Sequence, residues 1–134
     1  MTRNRTFVCW LATLSAFVLV GCSAIGPLSK SDDKICASIL KRTPVGCSSD
    51  SVFAFIKQER WSIHAESKHE GFTKIVPGLG RAQSPVVGSS FVACELGTTH
   101  FVMFPFETVK YAYWGFDTSG HLVDVWIDED TDAL

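Results

Sequence analysis

The chain predicts an α+β domain: two short helices packed on a three- to four-stranded antiparallel sheet. Three observations carry that expectation. Apolar residues recur at helical spacing between residues 35 and 59, whereas from Ser89 onward they alternate as strand residues do. Between these regions, Glu66 to Gly88 is polar and broken by Gly71, Pro77, Gly78, Gly80 and Pro85. Helices followed by a run of strands, rather than strands alternating with helices, is the α+β order.

In chain order, residues 1–21 precede the domain. Arg3 and Arg5 form a positive n-region, and Thr6 to Val20 is an uncharged apolar run. At about 15 residues it is shorter than the roughly 18–20 that a bilayer-spanning helix needs. Leu19-Val20-Gly21-Cys22 then resembles the lipobox of secreted bacterial lipoproteins. That resemblance implies cleavage before Cys22 and acylation of its thiol; the competing reading is an uncleaved anchor helix. Residues 22–34, polar and carrying Gly26-Pro27, read as a lipidated tether, and residues 35–134 as a single domain.

Ile35 to Leu40 fits a brief helix, with Asp32 and Asp33 favouring its start and Lys41 and Arg42 its end. Thr43-Pro44 stops it. A second helix is expected from Ser49 to Glu59: Ser48 or Ser49 can cap it, and Val52, Phe55, Ile56 and Glu59 follow at helical spacing. Trp61 to His64 reads as a first strand, and Lys74-Ile75-Val76 as an edge strand within the long loop. A main strand runs from Ser90 to Leu96 with Val92, Cys94 and Leu96 on one face. Gly97-Thr98 reads as a turn, Thr99 to Phe104 as another strand, and Pro105 as its break or edge. Thr108 to Phe116 and His121 to Ile127 form a hairpin around Asp117-Thr118-Ser119-Gly120. In its second strand Val123, Val125 and Ile127 share one face; Leu122, Asp124 and Trp126 share the other. Asp128 to Leu134 reads as an acidic tail.

Charge is uneven. Residues 22–81 hold nine basic and six acidic side chains, a net of +3, whereas residues 82–134 hold Lys110 against eight acids, a net of −7. A positive half near anionic headgroups and a negative half facing away suit a membrane-tethered domain. No basic stripe exists, so no nucleic-acid partner is expected. Cys36, Cys47 and Cys94 remain in the mature chain, in a compartment where thiols tend to pair. A Cys36–Cys47 disulfide would close a short loop and contribute roughly 2–3 kcal/mol. Cys94, in a strand, reads as an inert buried thiol.

Two stretches are similar to small outer-membrane lipoproteins of the SmpA/OmlA type. Gly46-Cys47-Ser48-Ser49-Asp50-Ser51-Val52 resembles their Gly-x-[Ser/Thr]-x-x-x-Val helix start, and Trp114-Gly115-Phe116-Asp117-Thr118-Ser119-Gly120-His121-Leu122 resembles their penultimate hairpin. The resemblance implies a helix pair on an antiparallel sheet in a protein that binds other proteins and has no catalytic role. It departs from this family where Ile56 to Trp61 replaces Leu-Gly-x-Pro, and in the long 66–88 loop. By the same lipoprotein background, Ser23 implies an outer-membrane address facing the periplasm.

Catalytic and metal chemistry find no motif. No Gly-x-Ser-x-Gly elbow surrounds Ser89 and Ser90. His64, His69, His100 and His121 form no His-Glu-x-x-His pair, and Asp128, Asp130 and Asp132 lack the Gly and Glu of a calcium loop. No cofactor is expected. The aromatic set Tyr111, Tyr113, Trp114, Phe116 and Trp126 points to binding, with Trp114, Trp126, Asp124 and Lys110 as candidates for the contact surface. The competing reading packs these aromatics under the long loop. The expected function is therefore a lipid-anchored, non-enzymatic protein-binding or scaffolding module whose partner is another envelope protein. The alternatives are an inhibitor or immunity lipoprotein, and an envelope hydrolase using Ser89–Ser90 or Cys94.

Overall fold

The computed structural model describes residues 30–100 and 106–133. The signal, Cys22, Ser23 and Pro105 lie outside the described residues. In chain order the elements are α1 (Asp32–Arg42), α2 (Ser49–Glu59), β1 (Ser62–Ser67), β2 (Phe72–Thr73), β3 (Val86–Val87), β4 (Ser90–His100), β5 (Phe106–Phe116) and β6 (Leu122–Ala133). Strands β1, β4, β5 and β6 form one antiparallel sheet in the order β1-β4-β5-β6, and β2 pairs with β3 in a separate two-stranded sheet. Two helices on a four-stranded antiparallel sheet is the α+β architecture that the sequence predicts.

Both helices turn their apolar stripe to the sheet. Ile35 and Ile39 of α1, and Val52, Phe55 and Ile56 of α2, meet Val92, Cys94, Ala112, Trp114, Val125 and Ile127 in one buried cluster. α1 begins three residues earlier than expected because Asp32 and Asp33 occupy its first turn, where negative charge is stabilising. For α2 the ends fall where expected. The Ser48 hydroxyl accepts from the Ser51 N–H, and Arg60 closes the helix in the left-handed region at φ 60°. Arg60 donates its N–H to the carbonyls of Ile56 and Lys57, and Trp61 donates to Ile56, so the last turn is satisfied without glycine.

The sheet departs from expectation in four places. Gly97-Thr98 is no turn: the register shifts between Glu95 and Gly97 while β4 continues to His100, so the glycine marks a bulge in one long strand. The acidic stretch after Ile127 is no frayed tail. Asp128 to Ala133 pair with Tyr111 back to Phe106, and backbone pairing holds these charges in a strand. Leu122 and Val123 exchange the faces expected of them. A register shift beside Phe116 sends Leu122 into the core and leaves Val123 44% exposed. Lys74-Ile75-Val76 is not a strand either; Phe72–Thr73 pairs with Val86–Val87 instead, followed by Lys74 N–H donating to Pro85.

That small β2–β3 sheet folds over the face of the main sheet opposite the helices. Phe72, buried, lies against Phe91, Tyr113 and Trp126 with ring centroids 6.3, 5.4 and 6.0 Å away. Gly115 makes the approach close enough, since a Cβ there would stand 3.0 Å from the Phe72 ring and 2.9 Å from a Val87 methyl. We call this element the flap. It covers one end of the outer face; the other end, formed by the far halves of β4, β5 and β6, is an arm of strands outside its cover.

Candidate functional site

The outer face of the main sheet follows from the strand register. Alternation places Phe91, Ala93 and Glu95 of β4, Glu107, Val109, Tyr111 and Tyr113 of β5, and Asp124, Trp126, Asp128, Asp130 and Asp132 of β6 on it. Under the flap the face is aromatic; beyond it, acidic. Trp126 stacks parallel to Phe72 and lies 5.6 Å from Tyr113. Further along, Tyr111 meets His64 of β1 at 4.5 Å.

The carboxylates and phenols of this face perturb one another. Burial raises the Asp128 carboxyl above its ordinary value, with the neighbouring Asp130 adding to the rise and Arg81 opposing it. Tyr113 is raised by burial and by Asp128. Tyr111 is raised by burial, then by Glu95, Asp130, Asp132 and Glu107. Among the described residues no ion pair engages Asp130 or Asp132. At Asp130 and Asp132 the face beyond the flap therefore projects a negative field that no ion pair among the described residues offsets.

The four surface candidates divide sharply. Trp114 is fully buried on the helix side, its indole N–H donating to the Thr43 hydroxyl at 3.3 Å, with Trp61 6.2 Å away. It belongs to the core, because Trp114 and Tyr113 point to opposite faces of one strand. Lys110 is buried too. Its ammonium donates to Asp32 at 2.6 Å and lies 3.6 Å from Glu129, tying α1 to the arm. Burial pulls the Lys110 pKa down, but Asp32 and Glu129 outweigh that and hold it above the ordinary lysine value. Asp124 is half-buried and paired with Lys74 at 2.8 Å. Only Trp126 lies on the outer face as an aromatic candidate, half-covered by the flap. The reading in which the long loop packs over these aromatics thus accounts for Tyr113 and Trp126.

Sequence reasoning missed Phe72, Phe91 and Gly115, which build the flap contact. The available signal was the pair of short apolar dipeptides, Phe72-Thr73 and Val86-Val87, near the two ends of a polar loop.

Among the described residues the cysteines are unpaired. Cys36, Cys47 and Cys94 are free thiols, so the expected Cys36–Cys47 disulfide is not formed in this structure. Cys36 on α1 donates its S–H to the Val125 carbonyl at 3.4 Å, whereas Cys47 lies in the turn before α2, where its carbonyl accepts from Leu122. Burial raises the pKa of both. Cys94 is fully enclosed and pushed up to about 12, a thiol at neutral pH.

A polar cleft of about 380 Å³ collects His69, Ser89, Ser90 and Asp117. Asp117 is engaged there by its own hairpin, accepting from the Ser119 and His121 N–H groups, which lowers its pKa. The His69 backbone N–H donates to Ser67, and among the described residues no hydrogen bond joins the His69 ring to either serine. Among the described residues, no three metal-capable side chains converge.

Two distant segments meet directly. Gly46 N–H donates to Leu122, Leu122 N–H to Cys47 and Ser49 N–H to Gly120, each at 2.8 Å, and Ser48 bridges His121. Helix start 46–52 and hairpin 114–122 are one structural unit. Comparison of the chain with family models, with curated proteins and with solved structures finds no match.

Proposed function

We propose that this chain is a lipid-anchored bacterial envelope protein, held at the outer membrane through Cys22 and facing the periplasm, that works as a non-enzymatic protein-binding or scaffolding module. The observation that carries the reading is the half-covered sheet. One face is closed by α1 and α2, and the flap closes only the Phe91–Tyr113–Trp126 end of the other. What is left is a strand surface bearing Tyr111, Val109 and a row of carboxylates, an aromatic and charged mixture suited to a protein partner. The likeness to SmpA/OmlA-type lipoproteins rests on two motif segments of the sequence; they are 62 residues or more apart in the chain and hydrogen-bonded to each other. Among the described residues no helix is long and apolar enough to cross a membrane.

Two measurements test it. Mass spectrometry of the protein from its native envelope is expected to find an acylated Cys22 as the first residue. A photocrosslinker at Tyr111 is expected to give one discrete protein adduct in intact cells, and the same group at Lys41, on the solvent side of α1, none. Retention of Met1 without fatty chains would end the lipoprotein reading. Equal labelling from both positions would end the binding-surface reading.

A further inference from the structure

The outer edge of β6 is the feature that the fold leaves unfinished. In the sheet order β6 is terminal, bonded to β5 on one side. On its other side Gly46 and Cys47 pair with Leu122, and that cover ends there. Val125 directs its backbone outward, its N–H donating to the Asp124 carboxylate and its carbonyl accepting from Cys36. Inward and outward residues alternate along an antiparallel strand, so Ile127, Glu129 and Thr131 present their N–H and C=O groups on the same open side. Among the described residues nothing bonds to them there.

A groove of about 430 Å³ opens along the start of this edge. α1 forms one wall with Asp33 and Cys36, and the segment between β2 and β3 forms the other with Ile75 and Pro77. Val125 and Ile127 face the helices while Trp126 faces outward, so the groove straddles the sheet and has the strand edge as its floor. A strand added at this edge would lie about 4.8 Å from β6.

Resting on the protein-binding reading above, we propose that β6 accepts an extended segment of a partner protein as a fifth strand, and that this guest alternates basic with apolar residues. The alternation is set by the two faces beside the edge. On the outer face a guest's side chains would stand next to Asp128, Asp130 and Asp132, the last two with no cation among the described residues. On the inner face they would stand next to Ile127 and Thr131, while Glu129 is already near Lys110. A second copy of this chain would set aspartates against aspartates, so the same charges that admit a basic strand reject self-pairing.

The test uses the full chain and a fluorescein-labelled eight-residue peptide alternating lysine and valine. Three comparisons accompany it: an alternating glutamate–valine peptide, the lysine–valine peptide with every backbone amide N-methylated, and the protein variants Asp130→Asn/Asp132→Asn and Thr131→Pro. Anisotropy is expected to show binding of the lysine–valine peptide alone, with Ile127, Glu129 and Thr131 giving the largest amide shifts in NMR spectra. The double asparagine variant is expected to weaken it about two- to thirtyfold, the span of two exposed charge pairs. Thr131→Pro, which removes an outward N–H that the sheet does not use, is expected to abolish it. The proposal is overturned if no peptide binds, or if N-methylation leaves affinity unchanged and so exposes mere charge attraction. Should the Tyr111 adduct persist in cells in either case, the edge proposal falls while the protein-binding reading stands.

Discussion

Replacing Gly115 with alanine separates the flap from the fold beneath it. Gly115 has no left-handed φ, so alanine meets no backbone strain, and a strand interior would ordinarily favour it. Sterics reverse that sign. The added methyl would stand 2.9 Å from Val87 Cγ1, 3.0 Å from Phe72 Cε1 and 3.2 Å from the Val87 carbonyl oxygen. If the flap stays down, overpacking costs about 1–3 kcal/mol. If it lifts, Phe72 loses burial worth roughly 1.5–3 kcal/mol. Either route gives about 2 kcal/mol, which lowers the thermal midpoint of a domain this size by on the order of 10 °C. Hydrogen exchange tells the routes apart from a general loss of stability: the amides of Phe72, Lys74 and Val87 should exchange faster relative to those of Val92 and Ala112. If flap amides keep their protection and the midpoint moves by less than about 2 °C, the account of Gly115 as the flap's seat is wrong.

Three further outcomes follow from the same geometry. Thr43→Val removes the buried acceptor of the Trp114 indole and is expected to cost about 1–3 kcal/mol in urea unfolding, because the N–H then has no partner. Asp128→Asn is expected to stabilise the protein at pH 7. The raised pKa of Asp128 means its ionised form is disfavoured in the fold, so that cost is present above the folded pKa and disappears below the ordinary value of 3.8, where melting of the variant and the parent should converge. Native protein at pH 8 should expose Cys36 and Cys47, but not Cys94, to an alkylating reagent; early modification of Cys94 in peptide mapping would contradict its enclosure.

Much of the fold was legible because period and punctuation agree. α2 is fixed by Ser48, by the Val52–Phe55–Ile56 stripe and by its break before Trp61. The 117–120 hairpin is fixed by Asp117 and Gly120, whose φ of 77° needs glycine. What escaped was non-local. Gly97 looks like a turn residue and proves a bulge, because only the partner strand β5 decides whether β4 continues. Asp128–Asp132 looks like a solvated tail, because no local term reveals that residues 106–111 will lie alongside. Of the four proposed surface residues, Trp114 and Lys110 were misplaced for the same reason. Alternation gives two faces but not which one the helices cover, and at Lys110 the ion pair with Asp32 allows a charge to be buried.

The bonds from Gly46, Cys47 and Ser49 to the hairpin have a consequence for the order of assembly. α1 and α2 are made early, yet the apolar stripe of Ile35, Ile39, Val52 and Phe55 completes its burial only against Trp114, Val125 and Ile127, near the end of the chain. Pairings of such long sequence separation slow folding and leave intermediates with greasy surface showing. Until Val125 and Ile127 are made, α1 and α2 lack these partners and their apolar stripe stays open to water.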